Sequence, residues 1–186
     1  MSKKQKIAAA GLLVLASAFV VRAAGRDEEP LRVVPAVDLS RYAGVWYEVA
    51  RLPNSFQEKC AGDVRAEYTL VKENRIKVVN RCRKQNGEMT EAEGEAKLAD
   101  KKGPNSRLKV RFAPSFLSFL PFVWGDYQII ELAPDYSHAV VGAPDRKYLW
   151  VLSRTPQMDE ATYQRLLEGA KAQGFDVSRM LRTKQG

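Results

Sequence analysis

Between residues 45 and 153, apolar and polar side chains alternate in short runs broken by turn-forming residues. A two-residue period marks half-buried strands. It predicts them at 45–52, 64–72, 75–83, 90–98, 107–112, 125–132, 137–142 and 147–153. The breaks fall at Glu73-Asn74, Gln85-Asn86-Gly87, Lys102-Gly103-Pro104-Asn105, Pro134-Asp135 and Pro144-Asp145, residues that favour tight turns. Eight short strands joined in sequence, without long crossovers, predict an all-β, up-and-down antiparallel barrel. Closure of the barrel removes exposed sheet edges, which favours it over a sandwich. Residues 38–42 read as a short helical turn before the first strand. Only 159–174 has a helical period: Ala161, Leu166, Leu167 and Ala170 form one stripe, Asp159 and Glu160 sit at the positive end, and Gly174 is the stop. No repeat or second domain is evident.

The N-terminus has a different pattern. Lys3, Lys4 and Lys6 precede an unbroken run of 15 apolar or small residues, 7–21. That is short for a membrane span and suits the core of an export signal. Small residues mark cleavage sites at Ala16-Ser17-Ala18 and at Val21-Arg22-Ala23; the second leaves a polar start and is favoured. An uncleaved N-terminal anchor is the alternative. The organisation expected is a signal peptide at 1–23, a linker at 24–35 and a barrel domain with its helix at 36–182. Removing the signal lowers the formal net charge from +8 to +4. The basic character of the whole chain therefore does not indicate nucleic-acid binding, and no basic run is interleaved with aromatics. Weak attraction to an anionic membrane surface is compatible with it.

Cys60 and Cys82 are the only cysteines. An even count in an exported chain favours a disulfide. Two patches far apart in sequence then stand out, Gly44-Val45-Trp46-Tyr47 and Ser153-Arg154-Thr155-Pro156. A guanidinium stacks on an indole face while its donors reach backbone carbonyls. With Trp124-Gly125-Asp126-Tyr127 and Tyr148-Leu149-Trp150 between them, the pair resembles the lipocalin family. The details Trp46-Tyr47-Glu48-Val49-Ala50-Arg51, Pro53-Asn54-Ser55-Phe56-Gln57 and 148–156 are most similar to the bacterial outer-membrane lipocalins. The resemblance covers about 36–182. It implies an eight-stranded barrel with one helix packed outside, closed at one end by Gly44, Trp46 and Arg154. It also implies a fatty acid or lysophospholipid ligand near the outer membrane. Bacterial lipocalins are often acylated on a cysteine just after the signal, whereas here no cysteine precedes Cys60. The expectation is a periplasmic protein, soluble or peripheral to the outer membrane, without a lipoprotein cysteine.

With Trp46 at the closed end, alternating strand direction carries Cys60 and Cys82 to the same open end, as a disulfide requires. The last strand descends and delivers Arg154 beside Trp46. The same reasoning puts the 113–123 connection at the mouth. Phe116, Leu117, Phe119 and Leu120 there are too apolar for an ordinary solvated loop. Two compatible readings follow: they fold inward as a partial lid, and they touch membrane lipid as ligand enters or leaves.

Alternation along the strands gives an expected interior. It comprises Ala66 and Tyr68, then Val78 and Asn80, Gly94, Val110 and Phe112, Gln128 and Ile130, and Tyr148 and Trp150. Ala92, Gly94 and Ala96 are small and leave room for a narrow apolar ligand; a filled core is the alternative. Asn80, Gln128 and Tyr68 either orient a polar head or bond one another. Enzymatic chemistry is not expected: His138 is the only histidine, no carboxylate pair converges, and a disulfide leaves no thiolate. A lipid-modifying enzyme on the same scaffold is the runner-up, and a surface interaction module with a filled barrel is a third reading. No metal or cofactor is expected. The partners expected are a small hydrophobic ligand and a peripheral membrane contact, with no nucleic acid, in a monomer or weak homodimer.

Overall fold

A computed structural model describes residues 29–72 and 75–186. The signal reading, the 24–28 part of the linker and the Glu73-Asn74 turn lie outside the described residues.

Eight antiparallel strands close into a barrel: β1 (Gly44–Arg51), β2 (Cys60–Lys72), β3 (Arg75–Lys84), β4 (Met89–Leu98), β5 (Arg107–Arg111), β6 (Gly125–Leu132), β7 (His138–Gly142) and β8 (Leu149–Ser153). Each strand pairs with the next, and β1 pairs with both β8 and β2. Every strand expected from the period is present, with ends shifted by a few residues at most. Each shared register position sends one residue of a pair inward with its partner. Tyr68 lies opposite Val78, which in turn lies opposite Gly94.

Two apolar clusters follow from that alternation. The inner one contains Trp46, Tyr68, Val78, Ala96, Leu108, Tyr127, Ile129, Val141 and Leu152. The outer one joins Val49, Ala50, Ile130, Val140, Leu149 and Val151 to Tyr163, Leu166 and Ala170 of the C-terminal helix. Helix α1 (Glu160–Lys171) starts where Asp159 accepts a hydrogen bond from the Thr162 backbone N–H at 2.8 Å. Its buried stripe uses Tyr163 in place of the expected Ala161, which is exposed.

The barrel's packing extends past both expected boundaries. Leu31 and Val37 are buried, the Val34 N–H donates to the Ile129 carbonyl at 3.0 Å, and Val37 is held at both backbone groups by the Asn105 amide. At the other end, β9 (Leu181–Arg182) pairs with Ala50 and Arg51 of β1. β1 pairs with β2 only from Gly44 to Tyr47. Nearer the mouth the two strands part, and the last residues fill the seam. The Thr183 N–H donates to the Val49 carbonyl and the Asp63 N–H to the Lys184 carbonyl, while the Gln185 amide bridges the carbonyls of Glu48 and Val64. Without that segment, the upper edges of β1 and β2 would be unpaired.

Candidate functional site

The floor of the barrel is a sealed plug. A helical turn (Leu39–Tyr42) begins at Asp38, whose carboxylate accepts from the N–H groups of Ser40 and Arg41. The Ser40 hydroxyl, which also donates to that carboxylate, and then the Arg41 backbone N–H hold the Asp38 carboxyl below its usual range. Trp46, with no exposed surface, donates its indole N–H to the Tyr42 carbonyl at 2.8 Å. The Arg154 guanidinium lies 3.9 Å from the centre of the Trp46 ring. From there it donates to the carbonyls of Val45, Arg41, Tyr42 and Ala43, at 2.7–3.1 Å. Gly44 has φ +97°, and a Cβ there would sit 3.3 Å from Arg154 Nη1. Only glycine combines that backbone turn with the approach of the guanidinium. Gly44, Trp46 and Arg154 thus occupy one end together.

Above the plug three tyrosine hydroxyls meet: Tyr42 with Tyr127 at 2.8 Å, and Tyr68 with Tyr127 at 3.0 Å. All three rings are buried, so loss of solvation pushes their pKa values up, that of Tyr68 to about 12. They stay neutral and act as a hydrogen-bonded chain spanning the base of the barrel.

Of the expected interior residues, Ala66, Tyr68, Val78, Val110 and Trp150 pack in or against the inner cluster. Asn80 sits opposite Ala66. Tyr148 stacks on Trp150 with ring centres 5.9 Å apart and planes 5° apart. Phe56, from the short turn Ser55–Gln57, adds a third ring 5.7 Å from Tyr148. The Trp150 indole N–H donates to Gln57 Oε1 at 2.9 Å, which ties that turn over the barrel wall.

Two expected residues face the other way. Ile130 packs with Tyr163 and Leu166 beneath the helix, and Gln128 lies opposite Gly142, whose Cβ position points at the outer-cluster residue Phe175. Tyr127 and Ile129 take their places inside. A register shift between Ile129 and Glu131 then returns Leu132 to the inner cluster. Tyr68 bonds Tyr127, not Asn80 or Gln128, so the expected polar trio does not assemble. The space expected at Gly94 is taken too: a Cβ there would meet the Phe112 ring at 2.6 Å.

Cys60 and Cys82 form a disulfide at the mouth, with Cα atoms 5.6 Å apart, and neither is left as a thiol. His138 meets Ser137 Oγ and Arg165 Nη2 beside the helix, apart from the barrel interior. In the 113–123 connection, Phe116, Phe119 and Phe122 are 73%, 76% and 80% exposed. Leu117 and Leu120 are half-buried. Trp124 anchors the segment on the outside of the barrel, its ring 3.9 Å from Lys97 Nζ and its indole N–H on the Ser118 carbonyl. The three phenylalanines are left open to solvent, while the two leucines are half-buried.

Sequence reasoning missed Glu48, Arg51 and Gln57, which cluster inside the mouth. Glu48 is 3% exposed and bonds both Arg51 Nη1, at 2.9 Å, and Gln57 Nε2, at 2.6 Å. On a regular strand, residues three apart face opposite sides, so no pattern in the sequence announced this pair.

Comparison with known proteins gives one answer. The family profile described as a lipocalin-like domain matches residues 37–185. Temperature-induced lipocalin-1 of Arabidopsis thaliana is 44% identical over 160 residues, covering 86% of this chain and 85% of the relative. Outer membrane lipoprotein Blc of Escherichia coli is 37% identical over 174 residues, covering 91% and 92%. Among solved structures, insecticyanin from the tobacco hornworm Manduca sexta superposes with a TM-score of 0.64 at 20% identity, covering 84% of this chain and 85% of that one.

Proposed function

The chain belongs to the lipocalin family, whose members bind small hydrophobic ligands, and from that premise we propose that its barrel carries a single-chain lipid. A fatty acid or a lysophospholipid is stored or moved within the bacterial envelope, supporting membrane maintenance, and no bond is made or broken. The observation that carries this reading is the layout of the barrel. An inner apolar cluster rests on a floor sealed by Trp46 and Arg154, and the opposite end opens beside the rings of Phe56, Tyr148 and Trp150. A barrel closed below, with an apolar inner face and polar groups at its rim, suits an acyl chain entering tail first. Solvent extraction of protein purified from its own envelope, followed by mass spectrometry, is expected to yield such a lipid. Recovery of none, together with failure to bind a fluorescent fatty-acid analogue, would refute the reading.

Export to the periplasm and a peripheral seat on the outer membrane belong to the same proposal. Phe116, Phe119 and Phe122 support it, since three neighbouring rings this exposed gain by entering an apolar phase. Each buries enough surface for roughly 2 kcal/mol. Changing all three to Ser is expected to lower binding to phospholipid vesicles by at least about tenfold. Unchanged partitioning in a flotation assay would rule out this contact.

A further inference from the structure

Glu48 and Arg51 face the same way because β1 carries a bulge at Val49. Glu48 lies opposite Leu152 and Arg51 opposite Trp150, both inward residues of β8. The two charges are therefore inside the mouth, 3% and 9% exposed. Both Glu48 oxygens are engaged, accepting from Arg51 Nη1, Gln57 Nε2 and Thr183 Oγ1 at 2.9, 2.6 and 2.5 Å. Arg51 has donors to spare. Of its five N–H donors, Nη1 serves Glu48, Nη2 reaches the Gln57 carbonyl only at 3.5 Å, and buried Nε has no partner. Nε and Nη2 form the side-on edge of the guanidinium, which can hold two oxygens of a carboxylate or phosphate at once.

Arg51 also lines an open cleft of about 230 Å³, together with Cys60, Val64, Leu181, Thr183 and Lys184. The cleft is mixed in character. Val64 and Leu181 supply apolar wall, while Arg51, Arg182 and Lys184 supply positive charge, of which Glu48 engages only Arg51. A site with one unused, buried, bidentate donor edge beside apolar wall matches an amphiphile with an anionic head.

We propose that the side-on edge of Arg51 receives the anionic head, carboxylate or phosphate, of the lipid carried in the barrel, with Glu48, Gln57 and Thr183 holding the guanidinium in place. This rests on the reading that the barrel takes a single-chain lipid.

The test compares oleate, 1-oleoyl-lysophosphatidate and oleyl alcohol by calorimetry at mildly alkaline pH. Wild-type protein is expected to bind at least one of the two anions about tenfold more tightly than the alcohol, and the preferred anion identifies the head. Arg51→Lys keeps the charge without the edge. The double variant Glu48→Gln with Arg51→Gln removes both charges and strands neither. Each is expected to retain the alcohol affinity and to cut the preference below about threefold. In wild type, the Arg51 Nε–H resonance is expected to shift with the preferred anion and not with the alcohol, a readout independent of any variant's folding. Absence of the preference, its survival in a folded variant, or an unmoved resonance would overturn the proposal alone. Failure of all three lipids to bind wild type would overturn the lipid reading and this inference together.

Discussion

Replacing Arg154 by alanine should weaken the fold without altering the barrel's upper half. The side chain contributes a cation–π contact with Trp46, 3.9 Å from the ring centre. A contact of that kind is worth about 1 kcal/mol when partly solvated. It also gathers the carbonyls of Arg41, Tyr42, Ala43 and Val45, so the end of the floor turn loses its partners when the fork is removed. Hydrogen bonds from a charged donor are worth about 1.5 kcal/mol each, but several of these lie at the solvent edge and count for a fraction of that. Desolvation lowers the Arg154 pKa and opposes the gain. The net expectation is a loss of roughly 3 kcal/mol for Arg154→Ala. Arg154→Lys keeps a point charge that cannot reach four carbonyls at once, and should lose about half as much. Urea denaturation followed by tryptophan fluorescence and circular dichroism measures both. A loss below about 0.5 kcal/mol for the alanine variant would refute the clamp. Equal losses for the two variants would refute the role assigned to the fork.

Alkaline unfolding tests the hydroxyl chain. The folded-state pKa of Tyr68 is raised to about 12 from 10.0, and those of Tyr42 and Tyr127 are raised as well. Below pH 10 both folded and unfolded forms hold these protons, so the stability is intact; above it the unfolded chain releases them first and stability falls as the pH climbs toward 12. Tyrosinate absorbance should show at least three of the seven tyrosines, Tyr42, Tyr68 and Tyr127, ionising only as the protein unfolds, with Tyr163 also raised by burial; early titration of all seven would contradict the buried chain. Replacing Cys60 and Cys82 by alanine opens a link across a sequence separation of 22. It should cost about 3 kcal/mol in urea denaturation, and a change under about 0.5 kcal/mol would show that the mouth is held without it.

The parts of the fold readable from sequence were those where a regular pleat ran undisturbed. Ala66, Tyr68 and Val78 alternate without interruption, and their inward direction followed from counting by twos. Trp46 and Arg154 were identifiable as a pair because their chemistry is unusual enough to be noticed across the chain. Counting failed where register changed. In β6 the apolar run Tyr127, Ile129 and Ile130 satisfies both faces, since the outward side is covered by α1, and hydrophobicity alone cannot choose between them. In β1 the bulge at Val49 turned Glu48 and Arg51 to the same side, and nothing in the residue types signalled it. β9 is two residues long, too short to show any period, and its place is set by the unpaired edges of β1 and β2. The phenylalanine segment was recognised as unusual, but only the structure separated exposed rings from half-buried leucines.

The seam between β1 and β2 has a consequence in time. β1 is complete early in synthesis, yet its partners near the mouth are Trp150, Val151 and residues 181–183. At ordinary rates of synthesis, roughly ten seconds or more separate the first strand from the strand that seals it. Throughout that interval the barrel cannot shut, so the growing chain stays open, threadable and exposed to aggregation. The pairing of residues 181–183 with β1 is the latch that ends this stage.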